Sequence, residues 1–381
     1  MFGAGITAVT AANGERQSLN KAYLKNARCK NQLVILKNTL VTKILIDDLS
    51  KVTYGVTVNR GGKTMTYYAK QEVILSAGAI NSPQLLMLSG IGDKSHLCKN
   101  NIKVVAHSPM VGQNLQDHSI IPIIIGCNLS NPQNNYDINF DVFKYIYNRT
   151  GYLAHGSISD ILAFYSYNEN AVRPDYQSHL AISWKNSANF PNTMKKLFRY
   201  KDTVADPIIK LNKNHTLLIF LFNLLHPVSR GNISLQSNNP EEYPFIYPNY
   251  FKDISDLESA VTGIKMLTKI LHSDYFKSIG AFLTRMEWPK CDKYDLDSRD
   301  YWKCVCINMA LTIYHPVGTN MMGLDPETSV VDGRLRVHKV KKLRVIDASI
   351  MPNITSGNTN GPTTMIAERG AELVIEDHED K

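Results

Sequence analysis

The chain has 381 residues, of which 44% are hydrophobic and 20% charged, with a formal net charge of +8. This length allows two or more domains, and the apolar content is enough for a large core, which excludes a disordered protein. Lys and Arg are scattered without a helix-turn-helix or zinc-finger pattern, which argues against nucleic-acid binding, and no stretch reaches the roughly 18 apolar residues that a membrane span needs.

The chain opens with a G-x-G-x-x-A pattern at Gly3, Gly5 and Ala8. A dinucleotide-binding turn needs a buried strand before the first glycine and a helix after the third. Only two residues precede Gly3, and the residues after Ala8 are polar, with a turn signal at Asn13-Gly14. We therefore interpret the pattern as a coincidence. A nicotinamide dehydrogenase that uses this stretch is the minor alternative.

The next hundred residues predict strands followed by a helix. The runs QLVILKN and TLVTKILID are rich in β-forming residues, and a Gly-Gly turn then separates two further strands. EVILSAGA has a continuous apolar run, typical of a buried parallel strand, and leads into a helix. Ser82 is expected to be the N-cap of this helix, Pro83 its first residue and Gly90 its left-handed end. Strand, small residues and helix in this order indicate a doubly wound α/β sheet.

The middle of the chain differs from both ends. Residues from about 120 to 300 are richer in aromatic residues and Asn, and predict a separate mixed α/β cap. Its clearest element is an amphipathic helix, with apolar residues at helical spacing: Leu257, Val261, Ile264, Leu267 and Ile270. The last eighty residues return to the first pattern, with the buried strand LRVID, a loop of small residues, and a helix expected to begin at Pro362.

Cysteines and sequons give little information about the fold or the localisation of the protein. Six cysteines are too few and too dispersed for a disulfide scaffold, and Cys304 and Cys306 are expected to be buried or loop thiols, with one of them available for a disulfide. Sequons occur at Asn128, Asn148, Asn214, Asn232 and Asn353. They indicate secretion only weakly, and the chain does not open with a signal segment, so the sequence does not determine localisation.

Three stretches together resemble the glucose–methanol–choline (GMC) oxidoreductases, and most closely the FAD-dependent glucose dehydrogenase-like branch. They are GAINSPQLLMLSGIG from Gly78, VGQNLQDH from Val111, and the C-terminal block from Tyr314 to Leu373. The resemblance covers nearly the whole chain. It implies an α/β protein, α+β overall, with an incomplete FAD-binding doubly wound Rossmann-type domain and a mixed α/β substrate-binding domain. The expected domains are residues 1–118 and 301–381 for FAD binding, and residues 119–300 for the substrate cap.

Two residues are expected to carry the chemistry of an FAD-dependent oxidation of a CH–OH group. As hydride leaves the alcohol carbon, a base must take the hydroxyl proton, and a neutral imidazole suits this near neutral pH. His315, in YHPVGT, lies where the family has the histidine that faces the flavin, although an isolated His is more often a packed loop residue. Asn358 lies where the family has a His or Asn, and its amide can donate to the substrate oxygen but cannot accept a proton. A turn role for Asn358 is the alternative, and Asn353 and Asn360 are nearby competitors.

The remaining predicted site residues are cofactor contacts, and no metal site is predicted. They are Val41, Gly78, Asp347, Ala348, Asn360, Pro362 and Thr363. A helix N-terminus presents free N–H groups and a positive dipole end, which suits the negative charge of reduced flavin, and the resemblance puts Pro362 and Thr363 there. It also implies that Asp347 and Ala348 contact the cofactor's linker and that the Val41 backbone meets the adenine. Plain structural roles are the alternatives, Val41 as core and Asp347 as a strand-end cap.

The chain departs from the family in two ways. Where the branch often has GTCKMG this chain has GTNMMG, so Asn320 and Met321 are expected to alter packing behind His315 or a link to another cysteine. The family's G-x-G-x-x-G strand and loop are also absent from this sequence. We therefore expect a truncated chain that binds FAD poorly or not at all, with a flavin-deficient, non-catalytic remnant as the alternative to the enzyme. The substrate, an alcohol or sugar, and the acceptor, O2 or a quinone-like compound, are left open.

Overall fold

The computed structural model of the chain describes residues 2–27, 30–131, 138–154 and 161–379. Two compact units are formed. Unit 1 comprises Met1–Ile35, Ile120–Leu224 and Leu257–Leu311, and unit 2 comprises Leu36–Ser119, Leu225–Asp256 and Thr312–Lys381. These units divide the chain differently from the expected domains, because residues 225–256 belong to unit 2 and the first 35 residues to unit 1.

The described strands follow one another along the chain. They are β1 Gly3–Ile6, β2 Ala11–Ala12, β3 Glu15–Arg16, β4 Leu40–Ile46, β5 Thr53–Arg60, β6 Lys63–Tyr68, β7 Val73–Leu75, β8 Ile91–Gly92, β9 Ala106–His107, β10 Ser119–Cys127, β11 Ile161–Tyr165, β12 Tyr176–Ser183, β13 Thr216–Leu224, β14 Asn232–Ser234, β15 Phe245–Tyr247, β16 Phe282–Leu283, β17 Leu311–Thr312 and β18 Leu343–Val345.

The described α-helices lie between them. They are α1 Gly78–Leu88, α2 Lys94–Lys99, α3 Ile138–Asn148, α4 Phe190–Asn192, α5 Asp202–Asn212, α6 Ile254–Thr268, α7 Asp274–Ser278, α8 Arg299–Met309 and α9 Asn360–Glu379. Short 3-10 or π turns cover Asn20–Leu24, Lys30–Gln32, Tyr152–Ala154, Thr193–Leu197, Lys269–His272 and Ala348–Ile350.

Unit 1 is built on an antiparallel sheet in the order β1-β11-β12-β13-β10-β16. The mostly apolar run TLLIFLFNL forms the central strand β13, which is buried along its whole length. The opening glycines form the exposed strand β1, with Gly3 opposite Phe164, instead of a turn between a strand and a helix. Asn13 and Gly14 both have positive φ and turn the β2–β3 hairpin, as the sequence predicts.

Helix α6 packs one face into unit 1, as its spacing predicts. Leu257, Val261 and Ile264 are buried, and Ile270 lies just beyond the helix in a 3-10 turn. A Cβ on Gly263 would come within 2.8 Å of the Tyr176 and Phe222 rings, so only glycine allows the helix to lie this close to the sheet.

Unit 2 holds the elements expected of the doubly wound part. β7 and β18 pair in parallel, with Val73 opposite Leu343, and α1 leaves β7 directly. The predicted Gly-Gly turn joins β5 to β6 in the antiparallel sheet β4-β5-β6. A core of apolar residues from β4, β7, α1, β18 and α9 lies between these elements.

Three local predictions are wrong: a strand over QLVILKN, the start of α9 and the start of α1. Residues 33–39 form no strand, and Leu33, Val34 and Ile35 are exposed. Helix α9 begins at Asn360, two residues before the expected Pro362.

Helix α1 begins at Gly78, one turn before the expected N-cap Ser82. The Ser82 hydroxyl instead donates to Asp347 at 2.5 Å, and the same carboxylate oxygen accepts from the Gly78 amide at 2.9 Å. A carboxylate from a distant strand end therefore satisfies the helix start, which the local sequence cannot reveal. The predicted end is confirmed, because Gly90 has φ +87° just after the helix.

Cys304 forms a disulfide with Cys291, and Cys306 is a buried free thiol whose pKa is raised by burial. Among the described helices, none combines the length and apolar character that crossing a bilayer requires.

Candidate active site

Three segments distant in sequence bring two imidazoles and an amide together in unit 2. His118 lies immediately before β10, His315 follows β17, and Asn358 lies in the loop before α9. His315 Nδ1 is 3.0 Å from His118 Nδ1, and His315 Nε2 is 3.3 Å from Asn358 Nδ2. The two residues singled out from the sequence therefore meet through the nitrogen on which a base would act.

Backbone hydrogen bonds hold the first two segments side by side. Gln116 and Val317 exchange both backbone hydrogen bonds, at 3.0 and 2.9 Å. The His315 amide donates to Asp117 Oδ1 at 3.0 Å, and Tyr314 adopts φ +65° just before it. A non-glycine residue with positive φ is uncommon, and here it turns the chain so that the next side chain points inward.

The loop that carries Asn358 is held by the same glutamine. Gln116 Oε1 accepts from the Ile354 amide at 3.1 Å, and its Nε2 donates to Pro352 O at 3.0 Å. Next along this loop, Ser356 Oγ lies 3.3 Å from His226 Nε2. One buried side chain thus ties the Asn358 loop to the segment that ends in His118.

Both imidazoles are neutral near pH 7. Burial lowers the pKa of His315 to about 4, and burial together with repulsion from His315 lowers that of His118 to about 3. A neutral ring has one unprotonated nitrogen, which is what a base requires.

A buried acid lies behind the histidines. Asp117 Oδ2 accepts from the Tyr250 hydroxyl, and burial raises the pKa of both groups. The carboxylate thus accepts hydrogen bonds from a backbone amide and a phenol.

The other asparagines considered from the sequence lie elsewhere. Asn353 accepts a 3.4 Å hydrogen bond from Arg230, and Asn360 is the first residue of α9. Of the three, it is Asn358 whose amide approaches the His315 ring nitrogen.

The expected cofactor contacts fall into two groups in unit 2. Val41 is partly exposed and lines a cleft of about 330 Å³ together with Ile74 and Ala77. Val41 is therefore not a core residue.

The second group lies at the ends of β18 and α9. Asp347 accepts from Gly78, Ser82 and Ser349, so it acts as a strand-end cap, and Ala348 opens the turn that follows. Pro362 and Thr363 lie in the first turn of α9, where the Thr363 hydroxyl donates to Thr359 O at 2.7 Å. Apart from chain neighbours and the local helix backbone, no atom of the described residues lies within 4 Å of a Cβ placed on Gly78 or Gly361, so there is open space beside both.

Asn320, which departs from the family pattern, is fully buried. Its Nδ2 donates to Ser349 Oγ at 3.0 Å, while its Oδ1 has no hydrogen-bond partner among the described residues. The expected change of packing is therefore a polar contact to the turn after β18.

Sequence reasoning gave no role to His118, Asp117, Tyr250 or His226. The signal that could have found the first two was the Asp-His pair directly before the apolar run of β10. A charged or polar pair at the start of a buried strand must find buried partners, which marks it for attention.

Comparison with known proteins agrees with this arrangement. A family model described as GMC oxidoreductase matches residues 2–120, and a second with the same description matches residues 227–367. An ecdysone oxidase of Bombyx mori is 36% identical over 388 positions, which cover 98% of this chain and 54% of that protein. A glucose dehydrogenase [FAD, quinone] of Drosophila melanogaster is 35% identical over 376 positions, which cover 97% of this chain and 57% of that protein. The chain thus spans a little over half the length of these relatives.

Solved structures agree in fold. A variant of Aspergillus oryzae formate oxidase matches with TM-score 0.83 at 24% identity, over 100% of this chain and 66% of that one. Pyridoxine 4-oxidase from Mesorbium loti matches with TM-score 0.77 at 23% identity, over 100% of this chain and 65% of that one. The expected mixed α/β, Rossmann-type fold class is confirmed.

Proposed function

The chain belongs to the GMC oxidoreductase family, whose cofactor is FAD, and on that premise we propose that the protein oxidises a CH–OH group with His315 as proton acceptor. The observation that carries this proposal is the 3.3 Å approach of the Asn358 amide to Nε2 of a buried, neutral His315. The names of the relatives, ecdysone oxidase and glucose dehydrogenase, support an alcohol-bearing small molecule as substrate.

The residues of unit 2 fit the cofactor. The apolar cleft at Val41 suits a flat base, and the open space beside Gly78 and Gly361 leaves room for a ligand close to the backbone. The first turn of α9, with Pro362 and Thr363, presents the positive end of a twenty-residue helix dipole. FAD, when bound, supplies the acceptor for the hydride.

The side chains of His315 and Asn358 bind the hydroxyl group of the substrate, and His315 accepts its proton. At 3.3 Å the hydrogen bond between Asn358 and His315 is long and weak, so a substrate hydroxyl can replace it. The hydroxyl then donates to His315 Nε2, while the Asn358 amide donates to the hydroxyl oxygen. This double contact orients the alcohol and weakens its O–H bond as the proton passes to the imidazole.

The experiment is turnover of the purified protein, with its flavin content measured by absorbance, using alcohols and either a quinone dye or oxygen as acceptor. We expect His315→Ala to lower turnover by about a hundredfold or more at equal flavin content. His338→Ala is the matched control, because His338 bonds Ser329 and Gly323 O away from these residues. Full turnover in His315→Ala contradicts the proposal, and absence of flavin from the purified wild-type protein favours the flavin-deficient, non-catalytic alternative instead.

A further inference from the structure

We propose that His118 is a positioning residue: it fixes the tautomer of His315 so that Nδ1 carries the proton and Nε2 presents the lone pair. The catalytic consequence rests on the proposed function. The assignment of the protons follows from the hydrogen-bond geometry together with the neutral state of the two buried rings.

The first step concerns the proton on His118. His118 Nε2 lies 3.1 Å from the backbone carbonyl oxygen of Leu225, and His118 is fully buried. A carbonyl oxygen only accepts hydrogen bonds, so Nε2 must carry the proton and donate. Since the ring is neutral, its Nδ1 is unprotonated and can only accept.

The second step passes this constraint to His315. The two Nδ1 atoms are 3.0 Å apart, and the rings are nearly perpendicular, with an interplanar angle of 84°. Two lone pairs at this distance would repel, so His315 Nδ1 must carry a proton and donate to His118. The neutral His315 ring then has its lone pair at Nε2, the nitrogen beside Asn358.

The opposite tautomer breaks the chain of hydrogen bonds at its buried end. If His118 Nδ1 donated to His315, its Nε2 lone pair would face the Leu225 carbonyl oxygen, and both groups would be buried without a donor. The Leu225 carbonyl thus determines, through His118, which nitrogen of His315 carries the proton.

The consequence for the proposed reaction is a base that is ready before substrate binds. The O–H bond of the alcohol breaks and its proton goes to His315 Nε2, while the C–H bond releases a hydride and the alcohol becomes a carbonyl compound. FAD, when bound, would supply the acceptor for that hydride. The resulting imidazolium keeps its Nδ1–H bond to His118, which becomes stronger because the donor is now charged. With the proton on Nε2 instead, the ring could only donate to the hydroxyl and could not take its proton.

The test is ¹⁵N NMR of the 381-residue chain labelled with ¹⁵N-histidine at pH 7, with assignment from His315→Gln and His118→Gln. We expect a protonated, pyrrole-type Nδ1 and an unprotonated, pyridine-type Nε2 at His315, and the reverse at His118. A pyrrole-type Nε2 at His315 overturns the proposal. This wild-type measurement decides the assignment even where a variant does not fold.

The variant His118→Leu tests whether His118 is the cause. We expect the His315 signals to move to the intermediate shifts of mixed tautomers, whereas His338→Leu, a second histidine of unit 2 with its own hydrogen bonds, leaves them unchanged. A single Nδ1–H tautomer persisting in folded His118→Leu overturns the positioning role.

A kinetic measurement separates this proposal from the proposed function. In flavin-loaded protein we expect His118→Leu to lower kcat about tenfold or more with little change in KM, because substrate contacts are retained while the base is misprotonated. The expected NMR signals in a protein without turnover would support the positioning and contradict the function. An unchanged kcat in a variant with mixed tautomers would contradict the catalytic consequence alone.

Discussion

Helix α1 contains Pro83 in its interior, and a hydroxyl from another segment compensates for it. Proline has no N–H, so the carbonyl four residues earlier, on Ala79, loses its helical donor. The Thr319 hydroxyl donates to this carbonyl oxygen at 2.6 Å, and both Thr319 and Ala79 are buried. We predict that Thr319→Val destabilises the protein much more when residue 83 is proline than when it is alanine.

The magnitude follows from burial. A buried carbonyl that loses its last donor costs about 1–3 kcal/mol, and Thr319→Val creates this situation while Pro83 is present. In the Pro83→Ala background the new amide supplies the helical hydrogen bond to Ala79, so the same substitution should cost less by about 1–2 kcal/mol. Any strain from placing a methyl group near the carbonyl oxygen is common to both backgrounds and cancels in the difference.

The assay is a double-mutant cycle by urea unfolding of the wild type, the two single variants and the double variant. Thr268→Val is the control, because this buried hydroxyl donates to Lys265 O in α6 and should add independently of residue 83. Effects of Thr319→Val and Pro83→Ala that add within about 0.5 kcal/mol would refute the reasoning.

Three further predictions concern stability. His315 and His118 have pKa values of about 4 and about 3 in the folded protein, so the unfolded chain binds more protons than the folded protein below pH 6.5. The unfolding free energy should therefore decrease as pH falls from 6.5 towards 4. Calorimetry at a series of pH values measures this decrease. Arg344→Met should cost about 3–5 kcal/mol in urea unfolding, because it removes the guanidinium that lies 2.7 Å from the buried Glu72 carboxylate and leaves that carboxylate with the His378 imidazole at 2.9 Å. Gly90→Ala should lower the unfolding free energy by about 1–3 kcal/mol, because φ is +87° and the new Cβ would lie 2.4 Å from a carbonyl oxygen.

Each has a matched control. His315→Gln should weaken the pH dependence, and an equal slope in wild type and variant would contradict the assignment of the titrating group. Lys103→Met removes an exposed ion pair and should change stability by less than about 1 kcal/mol. Gly61 also has positive φ, but there is open space where an alanine Cβ would lie. If Gly61→Ala lowered the unfolding free energy as much as Gly90→Ala does, the close Cβ contact at residue 90 would not be the cause of the destabilisation.

Elements defined by local pattern were predictable from the sequence. Strand β7, the turn at the paired glycines between β5 and β6, and helix α6 all form where their patterns predict. The expected burial of β7 is met at Leu75 but not at Ile74, which is 46% exposed. Local signals failed where a distant group decided the outcome. Ser82 is a good N-cap by type, but the Asp347 carboxylate supplies the acceptor at Gly78 and takes the Ser82 hydroxyl as well.

The candidate site divides in the same way. His315 and Asn358 were found because a family pattern surrounds them, and their 3.3 Å approach is a property of the fold. His118 could not be assigned from the sequence, because its role depends on the Leu225 carbonyl 107 positions later in the chain. A backbone acceptor has no sequence signature, so the protonation of the site becomes visible only in three dimensions.

The Asp117 carboxylate accepts hydrogen bonds from groups other than the ring nitrogens of the proposed base. An ionised acid at His315 Nδ1 would favour the imidazolium and raise its pKa, which leaves less neutral base at moderate pH. Asp117 is adjacent in sequence to the residue that occupies this position, yet its two oxygens bond the His315 amide and the Tyr250 hydroxyl. A neutral histidine therefore orients His315 without charging it. Asp117, the residue before His118 in sequence, instead holds the backbone of His315 by accepting a hydrogen bond from its amide.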